Sequence, residues 1–211
     1  KQAGTTGEVG VSVGSFVPKA HTPFQWEPQI SIEQIKELQY QLHCDLKKRK
    51  LNFKWQDAAL SFMEGVFARG DRRLAPVLMR AVQLGCRFDG WGDHFSLDRW
   101  MQAFGECGIQ PEWYLRRREL NETLPWQHLE CGVTREFLLK ERERALAGEA
   151  TKDCRHGECV ACGVCDFSAI KNRCFTESPP SPVMPEPEPA SDSEQVVRIR
   201  LRFAKQGSMC F

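Results

Sequence analysis

Residues 154–165 read CRHGECVACGVC and place four cysteines in twelve positions, Cys154, Cys159, Cys162 and Cys165, at spacing C-x4-C-x2-C-x2-C. The whole chain holds ten cysteines, so this density marks a site. Thiolates bind soft metals. Gly157 and Gly163 let a short loop turn its sulfurs inward and leave backbone N–H groups free to face them. A zinc site usually pairs two C-x2-C knuckles about 12–20 residues apart. Here Cys159, Cys162 and Cys165 follow one another in a C-x2-C-x2-C run, as in bacterial ferredoxins. The ferredoxin continuation x3-C-P is missing, because Asp166, Phe167, Ser168 and Ala169 follow. The fourth ligand would then be Cys154, or else Cys174. His156 adds a nitrogen ligand suited to zinc. The expectation is a metal at Cys154, Cys159, Cys162 and Cys165, with zinc and an iron–sulfur cluster both open.

Other residues able to do chemistry are more scattered. Cys44, Cys86, Cys107, Cys131 and Cys210 lack ligand spacing and read as small buried hydrophobes. His94 sits with Asp89 and Asp93 in "DGWGDHF", where Asp and Gly equally satisfy a turn backbone. His128 in "PWQHLE" has no converging partner, and His43 falls on an amphipathic helix. No nucleophile motif, phosphate-cradling glycine loop or H-E-x-x-H occurs. Arg198, Arg200 and Arg202, with Lys205 beyond, form a face that fits phosphate or a solvated strand edge equally well.

The 211 residues are 41% apolar and 27% charged, with a net charge of +1, which describes a chain able to bury a core. The neutral balance argues against strong nonspecific nucleic-acid binding. No apolar run approaches the ~18 residues of a membrane span. No export signal opens the chain, so the expected compartment is the cytoplasm, where thiols stay reduced and serve metals better than disulfides.

The elements that must position these residues follow from periodicity and caps. Val9–Val17 alternates as a strand, followed by a Pro-rich turn through "PKAHTPFQWEP". Ser31 and Gln34 form a capping box opening a long helix with Ile35, Leu38, Leu42 and Leu46 at helical spacing. Lys47 and Lys48 suit its negative end. Asn52–Trp55 is short and alternating, a strand or extended connector. Ser61 and Glu64 make a second candidate capping box, inside or at the start of "SFMEGVFARG". Asp71 caps a helix carrying Leu74, Val77, Leu78, Ala81 and Val82, closed by Gly85. Ser96 precedes the stripe Leu97, Trp100, Met101 and Phe104. Pro111 fits the first turn of "PEWYLRRRE". Thr134 opens a last helix, whose charged face reads as solvated. The aromatic and methionine stripes read as core. Residues 176–194 hold six of the chain's twelve prolines, five acidic residues and no Lys or Arg, the composition of a stiff extended linker. Beyond it, residues 196–203 alternate as one basic strand with no sheet to join, so the chain is expected to be a piece of a longer polypeptide.

Several segments together resemble a known family. "VGSFVPKAHTPFQWEPQ" resembles the end of the catalytic barrel of radical S-adenosylmethionine enzymes, in particular the cobalamin-binding-type group. "FMEGVFARGDRRLAPVL", "GCRFDGWGDHF", "LPWQHLECGVTREFLLKERERALAG" and "CRHGECVACGVC" resemble the downstream region of a bacterial branch of that group. "VVRIRLRFAKQGSMCF" resembles the opening of a domain of unknown function often fused to it. The resemblance implies an α+β chain: the end of a radical SAM barrel at 1–30, a helical extension at 31–150, a four-cysteine metal-binding segment at 151–175, the linker at 176–194 and a truncated second α+β domain at 195–211. It implies a 4Fe-4S cluster and S-adenosylmethionine in the intact protein, with cobalamin left open. The family's C-x3-C-x2-C signature and a D-x-H-x-x-G cobalamin motif are both absent from these residues. No radical-generating residue carries over, and the 154–165 site is expected to be auxiliary. Lys19, His21, Thr22 and Gln25, following the strand end, are expected near the cavity mouth. The competing expectation is a noncatalytic, zinc-stabilised module that binds RNA or a protein partner. The neighbourhood of RNA-processing and ribosomal functions in which such family members sit gives RNA its place there.

Overall fold

The β1–α1–β2 unit sets the start of the fold. A computed structural model describes residues 9–171. The 176–194 linker, the 196–203 strand, Cys174 and Cys210 lie outside the described residues. Strand β1 (Gly10–Val13) pairs in parallel with β2 (Asn52–Trp55), with Val11 opposite Phe53 and Val13 opposite Trp55. The two are joined through helix α1 (Ile32–Lys48), the crossover that a parallel pair requires. The strand is shorter than the expected Val9–Val17, because regular pairing ends before Gly14 and the chain then turns around a fully buried Pro18.

The capping box of α1 forms as read. Gln34 N–H donates to Ser31 Oγ at 3.2 Å, and Ser31 N–H donates to Gln34 Oε1 at 3.0 Å. Of the expected apolar stripe, Ile35 is buried, whereas Leu38 and Leu42 are exposed; among the described residues α1 packs mainly on β2 and α2. The α1 end closes with Lys50 N–H on Lys47 O and Leu51 N–H on Leu46 O, a Schellman arrangement. Lys50 occupies its left-handed position, with φ 57°.

Helix α2 (Ala58–Ala68) starts three residues before the expected Ser61 cap. Asp57 Oδ1 receives the N–H groups of Ala59 and Leu60 at 2.8 and 3.0 Å, and a carboxylate two residues before free donors outcompetes a later hydroxyl. Ser61 is instead fully buried inside the helix, its hydroxyl donating back to Asp57 O. Asp71 caps a single 3-10 turn (Arg72–Leu74) that runs into α3 (Ala75–Gln83). Gly85, at φ 89°, closes α3 as expected. Helix α4 (Leu97–Glu106) follows Ser96, although the Ser96 side chain makes no cap hydrogen bond. The short α5 (Glu112–Leu115) follows Pro111, and α6 (Arg135–Ala147) opens on Thr134 and closes on left-handed Gly148.

Among the described residues two apolar clusters result. Phe62, Met63, Val66, Val77, Trp100, Phe104 and Tyr114 form the larger, across α2 to α5. Trp26, Leu124, Trp126 and Leu138 form the smaller, which fixes α6 against the loop after β1. Of the expected stripes, Leu74, Val77, Ala81, Trp100 and Phe104 are core as read, whereas Leu78, Val82 and Met101 are exposed. Gly65 is dictated by a close approach: a Cβ there would lie 1.8 Å from Gln29 Oε1. Gln29 is buried and its Nε2 donates to Ser61 O.

Replacing Lys50 with glycine removes the steric penalty of a left-handed side chain. Lys50→Gly is expected to raise stability by about 1 kcal/mol in denaturant unfolding, with the m-value unchanged.

Candidate functional site

The loop after β1 and the turn before α6 build one wall together. In the loop, Gln25 and Trp26 are buried and Gln25 N–H closes on Thr22 O. Gln25 Oε1 receives the indole N–H of Trp126 at 2.6 Å and the backbone N–H of His21 at 3.1 Å. His21 holds a left-handed conformation at φ 55°, which turns the chain back over Gln25. These residues and the 129–136 turn line a cavity of about 410 Å³. Cys131 and Glu130 line it from the far side, and Arg135 stands 6.0 Å from the Trp26 ring centroid.

Of the residues expected near a cavity mouth, His21 and Gln25 meet here. Thr22 caps locally on Lys19 O at 2.8 Å, and Lys19 pairs with Glu64 on α2, away from the cavity lining. Cys131 does not follow the expectation of a buried thiol, because it is exposed; Cys86 does, and burial pushes its thiol up. Cys44 and Cys107 are half-buried. His94 is exposed in a turn beside Phe88, while His128 is exposed on a separate surface hollow with Asp71. His43 packs edge-on against Trp55.

The four-cysteine loop docks on this wall. Thr134 N–H donates to Cys162 O at 2.9 Å, so the residue that caps α6 is also strapped to the loop. Gly163, at φ 97°, sits so close that a Cβ would lie 2.5 Å from Thr134 Cγ2. Cys159 Sγ accepts the N–H of Ala161 at 3.3 Å, the kind of N–H···S contact that stabilises a thiolate. Cys159, Cys162 and Cys165 are free thiols. Asp153, before Cys154, is held down to about 2 by its hydrogen bonds with Arg155. The donor set and the N–H···S contact fit a soft, thiolate-bound metal. The sulfurs themselves are not drawn together: among the described residues no three His, Cys, Asp or Glu side chains are grouped to hold an ion.

The scaffold behind the cavity is held by arginines. Arg69 and Arg118 are 0% and 2% exposed. Arg69 donates to Glu27 O and, at 2.8 Å, to Arg116 O; Arg118 donates to Arg69 O at 2.7 Å. Burial, with Arg118 and Arg116 nearby, lowers the Arg69 guanidinium to about 10, so it stays charged at neutral pH. Glu122 faces Arg116 at 2.8 Å and Arg118 at 3.5 Å. Burial pushes its carboxyl up, but the two guanidiniums outweigh this and leave it below the usual glutamate range. Arg142 of α6 is not merely solvated as expected. It pairs with Glu27 at 2.6 Å, both side chains largely buried, and Glu27 also meets Arg117 at 2.9 Å. Single charged residues in a charged helix face carry no periodic signal; Glu27, the one charged residue in "FQWEP", is the available hint.

Comparison with protein families, with curated proteins and with solved structures finds no match to this chain. Among the described residues no helix is long and apolar enough to cross a membrane.

Two outcomes test this geometry. Gly163→Ala forces both a clash and a left-handed alanine, so the Thr134 amide should exchange about tenfold faster, a loss of about 1–2 kcal/mol in local opening free energy. Glu122→Gln should cost about 2–3 kcal/mol at neutral pH by leaving Arg118 without its carboxylate. Because the folded Glu122 carboxyl lies below its unfolded value, its contribution is present above about pH 4.3 and fades as pH falls through the lower folded value. The stability gap between wild type and variant should therefore narrow in acid, measured by denaturation across that range.

Proposed function

We propose that this chain closes and caps the barrel of a radical S-adenosylmethionine enzyme, with an auxiliary metal at the four-cysteine loop. The observation that carries the reading is the parallel β1–α1–β2 unit. Such a unit is the repeating step of a βα-barrel, and the segment leaving the carboxyl end of β1 brings His21 and Gln25 to the cavity, the end where barrel enzymes build their sites. Parallel strands are rarely left uncovered. Val9, Trp55, Leu38 and Leu42 are exposed among the described residues and offer the surface that further barrel elements would take. The chemistry of this reading comes from the sequence resemblance, and the parallel β1–α1–β2 unit supports it.

In this reading, a four-iron cluster on a C-x3-C-x2-C motif, with S-adenosylmethionine, would supply the hydrogen-abstracting chemistry. That motif belongs to another stretch of polypeptide, since these residues lack it. The chain's own part is to shape and dry the substrate side. Trp26 and Trp126 form apolar walls, Gln25 presents an amide, and the 130–136 turn closes over them. In this reading Cys154, Cys159, Cys162 and Cys165 would hold an iron–sulfur cluster as the auxiliary metal, and zinc belongs to the second reading; Cys162 ties the loop to that turn.

The second reading is a zinc-stabilised module docking RNA. One feature favours it: Trp113 is exposed, with Arg73 and Arg116 stacked 4.5 and 4.3 Å from its ring centroid. Both arginines are already matched, by Asp71 and Glu122, which weakens their pull on phosphate.

Metal counting separates the two. Anaerobically purified protein is expected to contain iron and sulfide and to absorb broadly at about 400 nm. Cys162→Ser should lower the metal content sharply. Zinc without iron would shift the reading to the binding module, and absence of both metals would overturn the site. Joined to a barrel carrying C-x3-C-x2-C, the protein should cleave S-adenosylmethionine under dithionite; failure there with the metal present would overturn the enzymatic reading alone.

A further inference from the structure

We infer that Cys131 and Cys165 are a redox pair, an oxidation site at which a disulfide joins the cavity turn to the cysteine loop. Two stretches of the same sequence meet here, Cys131-Gly132-Val133 before α6 and Cys162-Gly163-Val164 in the loop. In each the glycine is left-handed, at φ 83° and φ 97°. The stretches pass each other in opposite directions. Thr134 N–H donates to Cys162 O at 2.9 Å; two residues earlier on one side and two later on the other, a Cβ on Gly132 would lie 3.9 Å from Val164 Cα. Gly163 lies between these contacts, where an added Cβ would stand 3.1 Å from Gly132 O. One further step in the same antiparallel sense sets Cys131 opposite Cys165. Facing residues of antiparallel strips have Cα atoms about 4.5–5.5 Å apart, inside the range of about 4.4–6.8 Å that a disulfide spans.

The two thiols differ in the way such a pair requires. Cys131 is exposed on the cavity turn, whereas Cys165 is half-buried. Cys165 is held on both sides: Val164 packs on Gly132, and Asp166 Oδ1 takes the N–H groups of Ser168, Ala169 and Ile170. Cys159 Sγ, by contrast, is turned to its own loop, where it accepts the Ala161 N–H at 3.3 Å. The exposed thiol is the one that a soluble disulfide reaches first. The Cys131 thiolate attacks one sulfur of oxidised glutathione, forming a mixed disulfide and releasing one glutathione thiolate. The Cys165 thiolate then attacks the Cys131 sulfur, forming the Cys131–Cys165 bond and releasing the second glutathione. Two protein thiols are oxidised, one glutathione disulfide is reduced, and the two thiol protons end on glutathione. In a compartment that keeps thiols reduced, a bond of this kind is transient and follows the redox state. It removes Cys165 from the four thiols that the reading above gives to the metal, and only this consequence rests on that reading.

Disulfide mapping tests the pair, on the full chain freed of metal with a chelator and equilibrated with oxidised glutathione. Mass spectrometry of the unreduced digest should find the Cys131 peptide joined to the loop peptide as the main bridged product, with fragmentation placing the bond on Cys165. Cys131→Ser, at an exposed position, should abolish that product. Cys165→Ser should leave Cys131 trapped as its glutathione adduct, because the thiol that resolves it is gone. A bridge confined to the loop, a bond from Cys131 to any other cysteine, or a wild-type Cys131 that is unreacted or stops at the glutathione adduct would overturn the pair. The mapping is done without metal, so an absence of iron in the native protein would sink the auxiliary site and leave this result standing.

Discussion

Two buried guanidiniums, Arg69 and Arg118, hold together the segments from which the rest of the molecule is assembled. Taking such a charge out of water is costly unless its donors are met. Here the acceptors are mostly backbone carbonyls: Glu27, Arg116 and Arg69 itself. Carbonyls in loops would otherwise need water or sheet partners, so each arginine satisfies groups that regular structure leaves open. The arrangement fastens the end of α2 to the loop after β1 and to the 116–118 strip. Arg69 Nε and Arg118 Nε remain unpartnered, so the cluster carries an electrostatic load that Glu122 only partly balances.

The position of the cavity follows from this fastening. Trp26 accepts the N–H of Arg118 at its carbonyl, and its ring joins the cluster under α6. Glu27, one residue on, takes Arg142 from the middle of α6. One short strip of chain thus binds the arginine hub on one side and α6 on the other. Gln25, next to it, has little freedom, and this is why its amide presents one defined face to the cavity.

Much of the helical framework was legible because caps and periodicity are local. The Ser31 box, Asp71, Gly85, Pro111 and Thr134 act over three or four residues and read directly. The misreadings have physical causes. Ser61 resembled a cap because hydroxyl-then-glutamate spacing also occurs inside helices, and only the stronger acceptor at Asp57 decides between them. The α1 stripe was apolar as read, but Leu38 and Leu42 find no cover among the described residues, and sequence periodicity cannot tell which element covers a face. The site was legible in pieces. The cysteine loop could be singled out by type and spacing, and His21 and Gln25 through the resemblance to a barrel end, whereas their link through Thr134 and Cys162 spans residues with no common pattern. The arginine hub was invisible for the same reason, since its acceptors are main-chain oxygens that carry no side-chain signature.

The docking of the cysteine loop bears on how a metal there would act. Thr134 serves two structures: its hydroxyl caps α6, and its amide is tied to Cys162 O. Gly163 is packed so closely against the same residue that an added methyl group would clash with it. Among the described residues no three such ligands converge, so holding a metal there would require the sulfurs to move together. Cys162 is hydrogen-bonded to Thr134, which lines the cavity and caps α6. A ligation event at the loop would therefore be felt beside the cavity, whose lining includes Thr134 and none of the loop's four cysteines.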